Sequence, residues 1–380
     1  MSVRTLLALV FGTLAAMLLA TAPATATPAP PPPPPLTGDH LGPDRLPRCA
    51  DVVAAMTPRD RLAQRLMVGV DAADPGAVAE NVRATQVGGI FLGGNATALL
   101  TDQALRGVQA MARVPLAVAV DDEGGRVQRL DALDGDLPSA RTMARTRTPE
   151  QVRALGEERG REQLARGVTM NLAPTVDVTG RSAAIGDRSF GDDPDSVSRY
   201  AAAFVEGQRA AGVYTVLKHF PGHGRADGDS HKGRVTTPPL DDMRADDLRP
   251  YATLLGPGGP LADGRTGVLV GHLDVPGLTK DLPSSLTPEV YALLRGEIGF
   301  DGLVLTDDLG AMDAITDEFT LPQAVERALE SGADMALWSS GGRITPVLDH
   351  LVEAAKAGRL DPAATDVAAE RVLRAKHVCS

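Results

Sequence analysis

Aromatic side chains make up only 3% of this 380-residue sequence, with a single tryptophan and just two cysteines. Positive charge is also short: 38 lysines and arginines face 49 aspartates and glutamates, for a formal charge of −11. A chain this acidic is not a nucleic-acid binder. The apolar run near the start, Leu6 to Ala20, falls short of the roughly 20 residues that a membrane span requires, so stable membrane insertion is not expected. No cysteine follows that run where a bacterial lipoprotein would be acylated, and release rather than lipid anchoring is expected. The first strand-like segment, LMVGVDAADPG, lacks the glycine fingerprint of a dinucleotide fold.

What is present begins with a secretory pattern. Arg4 precedes the apolar run, and the small residues Ala24, Thr25 and Ala26 follow it, so residues 1–26 read as a signal peptide cleaved near Ala26 and the product as secreted or extracytoplasmic. Its removal takes away one arginine and no acid, leaving 37 basic against 49 acidic residues, a charge of −12. Residues 27–48 contain TPAPPPPPPLTG, which favours extended polyproline II and reads as a linker. Residues 49–380 form the folded domain. Cys49 and Cys379 stand at its two ends, and in an oxidising compartment they are expected to pair as a disulfide.

Within that domain, helix openings alternate with short apolar runs. In DDPDSVSRYAAAFVEGQRAAGV, Asp193 can cap, Pro194 suits the first helical position, and Val197, Tyr200, Ala201, Phe204 and Val205 share a face that Gly212 ends. Similar openings recur at Thr57-Pro58, Thr148-Pro149, Thr287-Pro288 and Asp361-Pro362. The apolar runs are 66–70, 88–92, 116–121, 168–174, 213–218, 267–272, 302–307 and 333–339. Their nearly continuous hydrophobicity is what parallel strands covered on both faces require. Eight such runs separated by helices point to an α/β fold, a single (β/α)8 barrel, ahead of an open doubly wound sheet.

In a barrel, chemistry belongs at the C-terminal ends of the strands. Those ends carry Asp121, Lys218 and His219, His272, and Asp307 and Asp308, while the eighth run holds Trp338, suited either to stacking on a ligand or to packing the rim. The segment KHFPGHGRADGDSHKG, residues 218–233, holds three of the seven histidines. His219 and His223 are spaced like metal ligands on a helix, but Pro221 and Gly222 between them argue against a helix there. Asp229 and His231 in a glycine-rich loop make a better proton-transfer pair, because a carboxylate fixes an imidazole's tautomer and favours its charged form. Asp307 closes a buried strand, where a carboxylate can attack an anomeric carbon, and Asp308 suits capping of the helix that follows.

Taken together, KHFPGHGRADGDSH, VDDEGGRVQR, GLVLTDDLGAM, IGDRSFGDDP and NLAPTVDV resemble the family 3 glycoside hydrolases, and among them the bacterial β-N-acetylglucosaminidases. The resemblance runs from Cys49 to the C-terminus with the motifs in the family's order. It implies a retaining exo-enzyme in which Asp307 is the nucleophile and His231, backed by Asp229, is the general acid/base. Asp121, Arg129, Arg188, Lys218 and His219 fall at sugar-binding positions, His223 at a supporting one, and Asp122 at none. A donor and acceptor ring of this kind suits a polar, uncharged sugar. No step of such a mechanism needs a metal or other cofactor. Export joined to this sugar specificity points to GlcNAc-containing muropeptides or disaccharides of the cell wall as substrate. The alternatives are a β-glucosidase-like exo-enzyme, a GlcNAc phosphorylase in which phosphate replaces water, and a non-catalytic sugar-binding barrel. Oligomeric state is not readable from the sequence.

Overall fold

The computed structural model describes residues 46–178, 182 and 184–380. The expected signal peptide and nearly all of the expected linker lie outside the described residues. Eight parallel strands close into a barrel in chain order: β1 (Leu66–Gly69), β2 (Gly89–Leu92), β3 (Ala117–Val120), β4 (Met170–Asn171), β5 (Tyr214–Phe220), β6 (Thr266–Val270), β7 (Val304–Asp308) and β8 (Met335–Trp338). All eight apolar runs of the sequence become strands, and Val68 pairs with Ile90 on one side and with Trp338 on the other to close the ring. Among the described residues no helix is long and apolar enough to cross a membrane.

Side-chain alternation along each strand splits the core in two. Met67, Phe91, Ala119, Leu172, Val216, Leu269, Leu305 and Leu337 point into the barrel, while neighbours such as Val68, Ile90, Val118 and Leu217 face the surrounding helices. The helices start where proline and capping chemistry place them. Asp193 accepts the Ser196 N–H at the head of Pro194–Ala211, Gly212 ends it at φ 104°, and Thr148 forms a full capping box with Gln151 at the head of Pro149–Ala165. These two helices meet through glycine: a Cβ at Gly156 would lie 2.6 Å from Phe204 O, and one at Gly207 would lie 2.1 Å from Arg153 O. Any larger residue at either position would force them apart.

The two ends of the domain are joined. Cys49 and Cys379 form a disulfide, the Cys49 N–H donates to Ser380 O, and the Ser380 N–H donates to Pro47 O. This pairing reaches Pro47, just ahead of the disulfide.

Candidate active site

Strand alternation also builds a cavity of about 330 Å³ at the C-terminal end of the barrel. Its floor is the apolar layer contributed by the even strands: Phe91, Leu172, Leu269 and Leu337. The next position inward on each odd strand is Gly69, Asp121, Lys218 and Asp307, and these four also line the cavity. Barrel interiors are filled by such layers from alternate strands. Here the last layer is polar instead of aliphatic, and Gly69 has no room for a side chain because a Cβ would lie 2.4 Å from Ser339 O. Strand pairing becomes irregular where two of these residues sit, between Leu217 and Phe220 on β5 and between Leu305 and Asp308 on β7. Bulges of this kind re-aim side chains beside sites. The Lys218–His219 peptide is cis.

Buried charge in this layer is paired. Lys218 Nζ donates to Asp121 and lies 2.6 Å from Glu123 Oε1. Glu123 in turn takes a forked pair from Arg188, Nε at 2.8 Å and Nη2 at 2.7 Å. Burial alone would raise the Glu123 carboxyl, but Arg188 and Lys218 overcome it and hold that group well below the usual carboxylate range. Burial likewise works against the Lys218 ammonium, and Asp121 and Glu123 more than restore it. Arg188 Nη2 also lies 3.3 Å from His219 Nε2, whose other ring nitrogen is 2.7 Å from Asp177 Oδ2.

Asp307 faces the cavity with Oδ1 accepting the Asp308 N–H at 2.9 Å. Burial would raise its pKa, yet the imidazoles of His219 and His272, the Asp308 amide and Lys218 together leave it below normal, so it is an anion at neutral pH. His231 lines the same cavity and an adjoining one of about 390 Å³ that shares Arg188, His219 and Asp307 with it. Its Nδ1 lies 2.9 Å from Asp229 Oδ1, and its side chain is 66% exposed. Burial is the largest single influence on Asp229 and raises it, but the His231 backbone and ring, with Lys232, together outweigh this and lower it. Arg129 lines the cavity too, its Nη1 donating to Gln128 O while its buried Nε finds no partner among the described residues.

Seven of the eight expected site residues thus wall one cavity, and the eighth, Asp229, holds His231 from the adjoining one. His223 plays the expected supporting part: its N–H donates to Asp177 Oδ1 and its Nε2 lies 3.3 Å from Ser230 Oγ. Asp122 turns outward to Arg159 and Gln163 and accepts the Arg129 N–H. One reading is corrected, Asp308 as a helix cap, and of the two roles open to Trp338 packing is the one found. Asp308 does not cap the next helix, which begins only at Asp313; it accepts the Gly310 and Ser339 N–H groups and so closes the turn after β7. Trp338 neither lines the cavity nor stacks there, and is wholly buried in the core between barrel and helices. Sequence reasoning missed Glu123 and Asp177. For Glu123 a signal existed, since it stands two residues after Asp121 and shares its inward face; nothing local marked Asp177. Among the described residues no group of three or more His, Cys, Asp or Glu is arranged to hold a metal ion.

Such a cavity can hold a neutral polar ring between paired charges, present a carboxylate anion to it, and offer an imidazole from a loop. Comparison with known proteins supplies the rest. The pattern describing the glycosyl hydrolase family 3 N-terminal domain matches residues 57–375. The chain is 50% identical over 337 residues, 86% of its length and 84% of the relative's, to beta-hexosaminidase LpqI of Mycobacterium tuberculosis. The solved structure of M tuberculosis LpqI superposes with a TM-score of 0.82 at 48% identity, covering 87% of this chain and 97% of the other. A glycosyl hydrolase of the same family from Mycobacterium smegmatis does so with a TM-score of 0.80 at 49% identity, over 85% and 98% of the two chains.

Proposed function

This chain belongs to glycosyl hydrolase family 3 and is a β-N-acetylhexosaminidase, and on that premise we propose that it is an exported, retaining exo-enzyme that removes terminal non-reducing GlcNAc from peptidoglycan-derived fragments. The observation that carries the mechanism is the convergence of Asp307 and His231 on one cavity from different elements, β7 and the loop after β5. Asp121, Lys218, Arg188, His219 and Arg129 would bind the sugar's polar edge over the apolar floor.

In the first step an Asp307 carboxylate oxygen bonds to the anomeric carbon as the glycosidic bond breaks, and the departing oxygen takes a proton from the His231 imidazolium. In the second, neutral His231 takes a proton from water, whose oxygen displaces Asp307 from the same carbon. Inversion twice gives retention. Asp229 accepts from His231 Nδ1 and so directs Nε2 toward the reacting oxygens. Export is supported by the N-terminal pattern, and the cell-wall substrate by export together with the sugar.

The test is release of nitrophenol from the aryl N-acetyl-β-glucosaminide, beside the aryl β-glucoside, by the folded chain and by Asp307→Ala and His231→Ala. Turnover of the first substrate only, with Asp307→Ala down by at least about 10³-fold, is the expected result, since removing the nucleophile of a coupled catalytic set loses nearly all of the rate. Full activity in Asp307→Ala would refute the assignment. Digestion of purified muropeptides, followed by mass spectrometry for free GlcNAc, tests the natural substrate.

A further inference from the structure

Among the described residues the His231 side chain bonds to nothing on the barrel; its one partner there, Asp229, lies in the same turn. Its place opposite Asp307 must therefore be set by whatever holds the turn. Residues 228–233 form the tip of a loop whose neck is closed by the Asp227 N–H donating to Thr236 O at 3.0 Å and the Thr236 N–H donating to Asp227 Oδ1 at 2.8 Å. Beneath the tip the single contact between Ser230 and His223 is long, at 3.3 Å. Arg225 anchors to Asp247, but it does so ahead of the neck.

Arg234 lies inside the neck, three residues from His231, and reaches three other places. Its Nε and Nη2 fork onto the Asp274 carboxylate at 2.9 and 2.6 Å, and its Nη1 donates to Asp281 O at 2.7 Å and to Glu318 Oε1 at 2.9 Å. Asp274 also pairs with the neck through its backbone, donating to Val235 O and accepting from Thr237 N–H. Asp274 and Asp281 follow β6, and Glu318 follows β7, the strand that carries Asp307. One guanidinium thus ties the loop bearing His231 to the connection that leaves the Asp307 strand. The short helix Asp313–Thr316 in that connection also touches the turn Ser230–Lys232.

We propose that Arg234 is a positioning residue for proton transfer: through Asp274 and Glu318 it fixes His231 at the distance from Asp307 that protonation of the leaving oxygen requires. This rests on His231 being the general acid/base. A displaced acid leaves a signature that lost packing does not. A poor leaving group needs the proton and a good one departs without it, so the loss should grow as the leaving group worsens.

The experiment compares kcat/KM for phenyl and 2,4-dinitrophenyl N-acetyl-β-glucosaminides in the wild type, Arg234→Ala, Arg234→Lys, Glu318→Gln and His231→Ala, with Arg244→Ala as a surface ion-pair control. His231→Ala should fall by about 10²-fold or more on the phenyl substrate and far less on the dinitrophenyl one, the usual worth of a general acid. Arg234→Ala should fall about tenfold on the phenyl substrate and by no more than about twofold on the other, a fraction of that same contribution. Arg234→Lys should recover part of the phenyl rate, because it keeps the charge without the fork. If Arg234→Ala does not fold, Glu318→Gln, at a partly exposed position, should show the same skew at smaller size. Equal losses on both substrates, or none, in the folded Arg234 and Glu318 variants would overturn the proposal while leaving His231 in place. Equal losses on both in His231→Ala would overturn the acid/base reading and the role of Arg234 with it.

Discussion

Glu123→Gln is the most informative change outside the reacting pair. Glu123 is 2% exposed and accepts three charged donors, two from Arg188 and one from Lys218. Glutamine keeps the shape, removes the charge, and turns an N–H₂ toward groups that can only donate. Breaking a buried ion pair costs about 3–5 kcal/mol, and the low end applies here because Lys218 retains Asp121. With about 2 cal/mol/K of unfolding entropy per residue over roughly 330 residues, about 3 kcal/mol lowers Tm by about 4 °C. Loosening Arg188 and Lys218 should also raise KM for the aryl N-acetyl-β-glucosaminide about tenfold, equivalent to about 1.4 kcal/mol, with a smaller change in kcat. The native pKa of Glu123 is depressed, so its contribution is fully present above the unfolded value near 4 and is lost only as pH falls through the folded one. The Tm difference should therefore be flat from about pH 5 to 8 and shrink in acid. Calorimetric scans across that range and Michaelis–Menten curves at pH 7 measure both effects. Unchanged Tm and unchanged KM would refute the claim that this ion pair organises the sugar side of the cavity.

Two further changes probe the scaffold. The disulfide closes a loop spanning 330 positions, for which the chain-entropy account gives about 6 kcal/mol. Cys379→Ser, or reduction of the native protein, should lower Tm by up to about 9 °C and spare activity at 25 °C, since neither cysteine lines the cavity; identical melts with and without reductant would contradict this. Asp247 is buried, its Oδ1 without a partner among the described residues, and burial, only partly offset by Arg225, pushes its pKa to about 6. An acid whose folded pKa is raised binds its proton more tightly when folded, so stability should decline by about 2–3 kcal/mol as pH rises from about 4 to 6. Asp247→Asn should flatten that part of the denaturant-measured stability curve, and an unaltered slope would show that Asp247 does not cause it.

The barrel was legible because its strands announce themselves one at a time: a covered parallel strand must be apolar along its length, and all eight runs met that demand. Their edges were less legible. Residues 168–174 read as a seven-residue strand, yet β4 is only Met170–Asn171, and Pro174 has no N–H with which to extend the ladder. Site residues followed the same division. Asp121, Lys218 and Asp307 were visible as polar endings to apolar runs. Glu123 was marked only by its spacing from Asp121, since its partner Arg188 lies 65 residues away, and Asp177 was not marked at all, because it acts on His219, 42 residues away. Asp308 misled for a related reason: an aspartate after a strand looks like a helix cap, and only the folded chain shows Ser339 beside it.

The layered geometry also accounts for why the two halves of the proposed chemistry have such different settings. Replacing one aliphatic layer of a barrel by Asp121, Lys218 and Asp307 puts charges where water is scarce, and isolated buried charge is costly. Stability then requires that they be matched: Asp121 and Glu123 pair with Lys218 and Arg188, and His219, His272 and Lys218 offset the charge of Asp307. Such a wall is rigid because every displacement unpairs something, which suits holding a sugar and a nucleophile in fixed relation. A proton donor cannot come from that layer. It must face the leaving oxygen from the open side, admit a second substrate, water, to the same spot, and recover its proton from that water in the second step. An exposed imidazole on a loop satisfies those demands, and it moves the problem of placement from the barrel to the residues that tether the loop.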